Sequence, residues 1–77
     1  MEQQVLELLK EEYPEIEFET TKRLWDDGIL DSVTLIGIVG SLNMEFGISI
    51  PYVEIIEANF NSVAGMARLV EKLQAAK

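Results

Sequence analysis

Few side chains in this chain can begin any chemistry. It holds neither His nor Cys, so it lacks an imidazole general base, a thiolate nucleophile, a disulfide framework and a Cys or His metal cluster. Ser32 is the hydroxyl with a patterned setting, because Asp27-Gly28-Ile29-Leu30-Asp31-Ser32 runs directly into an apolar, periodic segment. With Asp31 as N-cap, its carboxylate accepts a hydrogen bond from a first-turn backbone N–H. Ser32 is then the first helical residue, its hydroxyl facing out from the end of the loop. A phosphate on that hydroxyl would sit over unpaired N–H groups at the positive end of the helix dipole, a setting that suits a phosphodiester. The same Asp-Ser pair is also an ordinary way to open a helix, as a cap followed by a small first-turn residue. Ser32 is not in a Gly-x-Ser-x-Gly elbow and has no histidine to activate it, which argues against a serine hydrolase. Asp26, Asp27 and Gly28 hint at a calcium loop, but Gly28 and Leu30 stand where alternating oxygen ligands belong.

The elements that must position Ser32 can be read from periodicity. From Glu2 to Tyr13, Val5, Leu8 and Leu9 recur at helical spacing with Leu6 on the flank, which predicts an amphipathic helix ended by Pro14. The stretch 14–31 carries no sustained helical stripe. It reads as a long loop pinned by Leu24, Trp25, Ile29 and Leu30, with a short strand at Ile16 to Phe18 as the competing reading. Ser32 to Phe46 follows, with Leu35, Ile38, Val39, Leu42 and Phe46 on one arc and Gly47 placed for a left-handed helix end. Pro51 suits the first turn of a short third helix running to about Ala58, burying some of Val53, Ile55 and Ile56, with Phe60 after it. Ser62 has the chemistry of an N-cap for a fourth helix whose face is Val63, Met66, Ala67, Val70 and Leu73. The expected fold is all-α, a small four-helix bundle of three main helices and one short one in a single domain, 1–77. In so small a core Trp25 and Phe60 read as packing residues rather than a ligand-stacking pair.

Composition narrows the partners. Six Lys plus Arg against fourteen Asp plus Glu give a net charge of -8 in 77 residues. Such a balance disfavours nucleic acid and anionic membranes, favours partners with basic surfaces, and opposes self-association, so a monomer is expected. The longest uncharged run, Ser32 to Met44, is interrupted by Gly37 and Gly40 and is too short to span a bilayer. The segment Met1 to Lys10 lacks the basic-then-apolar order of a signal peptide, from which a cytoplasmic location is expected.

Asp-Gly-Ile-Leu-Asp-Ser, an apolar helix ending Glu45-Phe46-Gly47-Ile48-Ser49-Ile50-Pro51, and then Asn59-Phe60-Asn61-Ser62-Val63 together resemble the acyl carrier protein family over nearly the whole chain. The resemblance implies a four-helix bundle that carries 4'-phosphopantetheine on Ser32, with Asp31 as the adjoining motif residue. It implies cargo held as a thioester on the arm and no catalysis by the chain itself. The implied partners are a phosphopantetheinyl transferase that draws on coenzyme A, a loading ligase for acyl or aminoacyl cargo, and downstream acyl-transferring enzymes. The missing Cys and His fit this, since the thiol would come from the prosthetic group. A small acidic helical protein that only binds partners, with Ser32 unmodified, is the reading from a different class.

The sequence departs from the fatty-acid-type members of that family. Val33 rather than Leu follows Ser32, and Glu45 is the only acidic residue between Ser32 and Phe46. Val33, Gly37, Gly40 and Met44 lie opposite the core arc, with Ile36 at its edge, so the outer face of this helix is apolar or bare backbone. Each mid-helix Gly costs roughly 1 kcal/mol relative to Ala. Two explanations stand open: a partner-docking surface of Val33, Ile36, Gly37, Gly40 and Met44, or relief of helix packing inside the bundle. An apolar docking helix is more like peptidyl and D-alanyl carriers than acidic fatty-acid carriers. The acids concentrate early instead, seven of fourteen within the first nineteen residues, with Asp26, Asp27 and Asp31 following. Such a cluster reads as a solvated face or as a set that meets a basic rim on the transferase.

Overall fold

The computed structural model describes residues 1–18, 23–26 and 28–76. It holds four α-helices, α1 (Glu2–Glu12), α2 (Ser32–Phe46), α3 (Glu57–Phe60) and α4 (Val63–Ala75), and no strand among the described residues. The all-α reading therefore holds, and Ile16 to Phe18 is not a strand. Instead the Phe18 N–H turns back onto the Ile16 carbonyl and the Phe18 ring is buried.

Each long helix is bounded by the residues that the sequence marks. α1 ends one residue before Tyr13, whose backbone leaves the helix ahead of Pro14 while its N–H still reaches Leu9 O. α2 ends on Gly47 in the left-handed region, φ 63°, where an L side chain would be strained. α4 starts on Ser62, whose hydroxyl accepts the Gly65 N–H at 3.1 Å. The fourth helix is central, for α1, α2 and α3 all pack on it. Its Val63, Met66, Ala67, Leu69 and Val70 meet Val5 and Leu9 of α1, Ile38 and Leu42 of α2, and Phe60 of α3 in one core. Each fully buried side chain of this kind contributes about 1.5–3 kcal/mol, offset by the chain entropy lost on folding. Gly65 lets α4 approach closely, since a Cβ there would stand 3.0 Å from the Asn59 carbonyl oxygen.

The connection 14–31 is anchored rather than slack where it is described. Leu24 and Leu30 are buried, Trp25 and Ile29 lean on the core, and Phe18 and Ile16 add anchors that the sequence reading did not name. Apolar anchors at this density offset the entropy of ordering so long a loop.

The third segment corrects the sequence reading. Pro51 is extended, φ -73° and ψ 152°, and precedes a 3₁₀ turn at Tyr52–Glu54 rather than opening a helix. Ile55 and Ile56 then leave helical geometry before the single turn of α3. Two adjacent β-branched residues resist helix, and the Asn59 amide takes the Glu54 carbonyl at 2.8 Å, replacing the backbone bond a continuous helix would supply. Val53 and Ile56 are exposed, so of the three residues expected to bury there only Ile55 packs on the core. Glu54 is tied further to Lys72 of α4 by an ion pair and to the Asn59 side chain. Ile48 and Ile50 are buried ahead of this segment, and Asn43 Oδ1 fixes it by accepting the Ile50 N–H at 2.9 Å.

Candidate functional site at the head of the second helix

Asp31 is extended, φ -77° and ψ 176°, and its Oδ1 accepts the Thr34 N–H at 2.8 Å while its carbonyl accepts the Leu35 N–H. The Thr34 backbone N–H, then the Thr34 side chain and the Val33 N–H, hold the Asp31 carboxyl below the ordinary Asp range. Ser32 is the first helical residue and is exposed, at the positive end of a 15-residue helix.

Beside Ser32 lies an open hollow of about 500 Å³, walled by Trp25, Leu35, Ile36, Val39, Tyr52 and Ile55. The loop supplies one wall, α2 the floor, and the 3₁₀ segment the other wall. Trp25 packs on the core as expected and also borders this hollow; Phe60, fully buried under α4, does not. Tyr52, to which the sequence assigned no role, stands exposed at its edge. Nothing local in the sequence brings residues 25, 32 and 52 together.

The five residues of the outer α2 face separate into two settings. Val33, Ile36 and Met44 are 82%, 72% and 88% exposed, a large unpartnered apolar area for one helix. Ile36 borders the hollow at Ser32, whereas Gly37, Gly40 and Met44 border a groove against Leu8 and Glu12 of α1. A Cβ on Gly37 would collide with the Tyr13 hydroxyl, so the missing side chain there is used inside the bundle. Gly40 has nothing within 4 Å of an added Cβ, so no internal packing requires it. Ser41 closes the same edge by donating to the Glu12 carboxylate.

Of the acidic residues ahead of Asp31, Asp26 is engaged within the fold. Asp26 Oδ2 accepts from Asn61 Nδ2 at 3.0 Å and lies 3.6 Å from Arg23 Nε. The Asn61 hydrogen bond is the main reason its carboxyl sits below the ordinary range. The neighbouring Asp26 pushes the Glu57 carboxyl up, first through the hydrogen bond that a protonated Glu57 can donate to it and then through the like charge. Asp27 lies outside the described residues. Among the described residues no three His, Cys, Asp or Glu side chains are grouped to hold a metal, and no helix is long and apolar enough to cross a membrane.

A family model described as phosphopantetheine attachment site matches residues 3–70. The chain belongs to that family. It is therefore a carrier to which 4'-phosphopantetheine is attached covalently, and not an enzyme in itself. Carriers of this family work with a phosphopantetheinyl transferase and with acyl-handling enzymes. Searches of curated proteins and of solved structures each gave no match. The head of α2 suits the group: an exposed hydroxyl for the phosphodiester, a positive helix end beneath it, and an apolar hollow alongside.

Proposed function

We propose that Ser32 is the residue that takes 4'-phosphopantetheine, and that the chain carries an acyl or aminoacyl group between a loading ligase and downstream acyl-transferring enzymes. The observation that carries this reading is the exposed Ser32 hydroxyl, first in α2 behind the Asp31 cap and on the rim of an apolar hollow. The group supplies the thiol on which cargo is held as a thioester. The chain's own part is mechanical. Asp31 fixes the helix start by taking first-turn N–H groups, so Ser32 Oγ is presented on rigid backbone, and the positive end of the helix dipole favours negative charge there. Val33, Ile36, Gly37, Gly40 and Met44 form the docking side of α2, with Gly37 serving it by seating Tyr13 and the other four by direct contact.

Within the family, the peptidyl or D-alanyl type is favoured over the fatty-acid type. The support is chemical: α2 offers exposed aliphatic side chains and a single acidic residue, Glu45, so a partner reads it by apolar contact more than by charge. The test of attachment is intact-protein mass after incubation with coenzyme A, magnesium and a broad-specificity phosphopantetheinyl transferase. Wild type gains one phosphopantetheinyl increment and Ser32→Ala gains none. An increment that persists in Ser32→Ala, or a folded wild type that several transferases leave unmodified, overturns the assignment of Ser32.

A further inference from the structure

Asn61 lies between α3 and α4, far in sequence from the loop that leads into Ser32, yet it holds three consecutive residues of that loop. Its carbonyl accepts the Leu24 N–H at 2.9 Å. Its Oδ1 accepts the N–H groups of Trp25 at 3.0 Å and Asp26 at 3.3 Å, and its Nδ2 donates to Asp26 Oδ2 at 3.0 Å. The connection continues beyond these contacts. The Leu24 carbonyl accepts the N–H groups of Ile29 at 3.1 Å and Leu30 at 3.2 Å, and Leu30 leads directly into Asp31 and Ser32. Trp25, held at this point, is one wall of the hollow beside Ser32, and the facing wall, Tyr52 and Ile55, belongs to the segment just ahead of α3. On that side the neighbouring Asn59 donates at 2.8 Å to the carbonyl of Glu54, which lies between Tyr52 and Ile55 in the chain.

We propose that Asn61 is a positioning residue for the Ser32 site: its amide sets Trp25 against the hollow and, through Leu24, sets the backbone that enters Asp31 and Ser32. This inference rests on the reading of Ser32 as the attachment residue. The side-chain chemistry is specific, because the site needs an acceptor for two backbone N–H groups and a donor for a carboxylate on one short planar group. A carboxylate at position 61 keeps the acceptor but faces Asp26 and Glu57 with a further negative charge. A hydroxyl is too short to serve both ends.

A reciprocal exchange tests this. Asn61→Asp alone sets two carboxylates face to face, whereas the double variant D26N/N61D restores an amide donor opposite a carboxylate acceptor with its ends reversed, leaving an oxygen for the Trp25 and Asp26 N–H groups. Trp25 is the only tryptophan in the chain, so its emission reports the wall directly, and the transferase's kcat/KM reports the presentation of Ser32. Asn61→Asp is expected to shift Trp25 emission to the red and lower kcat/KM about tenfold, and the double variant to return both to within about twofold of wild type, a loss and recovery of about 1.4 kcal/mol. Far-UV circular dichroism establishes that the variants compared are folded. If Asn61→Asp does not fold, the decision falls to the double variant: wild-type emission and rate support the proposal, and a folded double variant that is red-shifted and slow, or one that cannot fold, overturns it. Asn61→Asp that melts earlier but keeps wild-type emission and kcat/KM marks Asn61 as structural only and also overturns it. Failure of the underlying reading looks different, since wild type itself then accepts no group.

Discussion

Asp31 joins stability to presentation at a single carboxylate. Its cap bond to Thr34 holds its folded-state pKa below the unfolded value, so the unfolded chain binds that proton more readily. The contribution is therefore complete above the ordinary Asp value of about 3.9 and is lost as pH falls through the lowered folded value. Asp26 and Glu54 act with the same sign, lowered by Asn61 and Lys72 respectively, while Glu57, raised beside Asp26, acts with the opposite sign. Replacing Asp31 by Asn keeps an acceptor at the cap but removes the titration. Thermal melts from neutral pH down to about pH 3 are then expected to show Asp31→Asn close to wild type at the neutral end, with a shallower acid decline. Asp31→Ala is expected to melt below both at neutral pH. An Asp31→Asn curve parallel to wild type through the acid range would show that the cap bond does not titrate with folding.

At the scale of elements, the glycines of α2 and α4 answer different demands. Gly65 stands against the backbone carbonyls of Asn59 and Ala58, which cannot yield as a side-chain tip can. Gly65→Ala is accordingly expected to destabilise by about 1–2 kcal/mol, overpacking outweighing the roughly 1 kcal/mol of helix propensity that Ala brings. Gly40 faces open space on α2, so Gly40→Arg is expected to fold with wild-type stability yet lower the transferase's kcat/KM about tenfold by obstructing the docking side. Chemical denaturation measures the first and steady-state kinetics the second. An undiminished kcat/KM for Gly40→Arg removes Gly40 from the docking surface. These elements were legible to different depths. α2 and α4 were readable because Asp31, Ser62 and Gly47 are local signals, coupled in α4 to an apolar stripe and in α2 to a long run that is apolar on nearly every side. The segment from Pro51 to Phe60 was not, because its course depends on Asn59 bonding Glu54 and on Lys72 reaching back from α4. Asp-Ser marked the head of α2 through local capping, but the walls of its hollow come from residues twenty positions apart or more. The Asn61 bonds to residues 25 and 26 span 36 and 35 positions and leave no periodic trace.

For the molecule as a whole, charge works against compactness. The chain folds with a net charge of -8, and Glu7, Glu11, Glu12 and Glu45 gather around one groove between α1 and α2. The ion pairs Lys72–Glu54 and Arg23–Asp26 lie largely at the surface, where such pairs contribute little. Fourteen acids against six bases leave an excess of negative charge that the compact state must hold together, so self-repulsion opposes the native state and screening relieves it. Raising NaCl from about 0.01 M to about 0.15 M shortens the screening length from about 30 Å to about 8 Å. The melting temperature at pH 7 is expected to rise by several degrees over that range, since about 1 kcal/mol corresponds to about 4–8 °C in a domain of this size. Glu11→Lys supplies the control, because reversing one charge at the groove should recover part of that gain at low salt and flatten the remaining dependence. A melting temperature that falls with NaCl would mean that the surface ion pairs outweigh the repulsion, and an unchanged slope in Glu11→Lys would place the repulsion away from the α1–α2 groove.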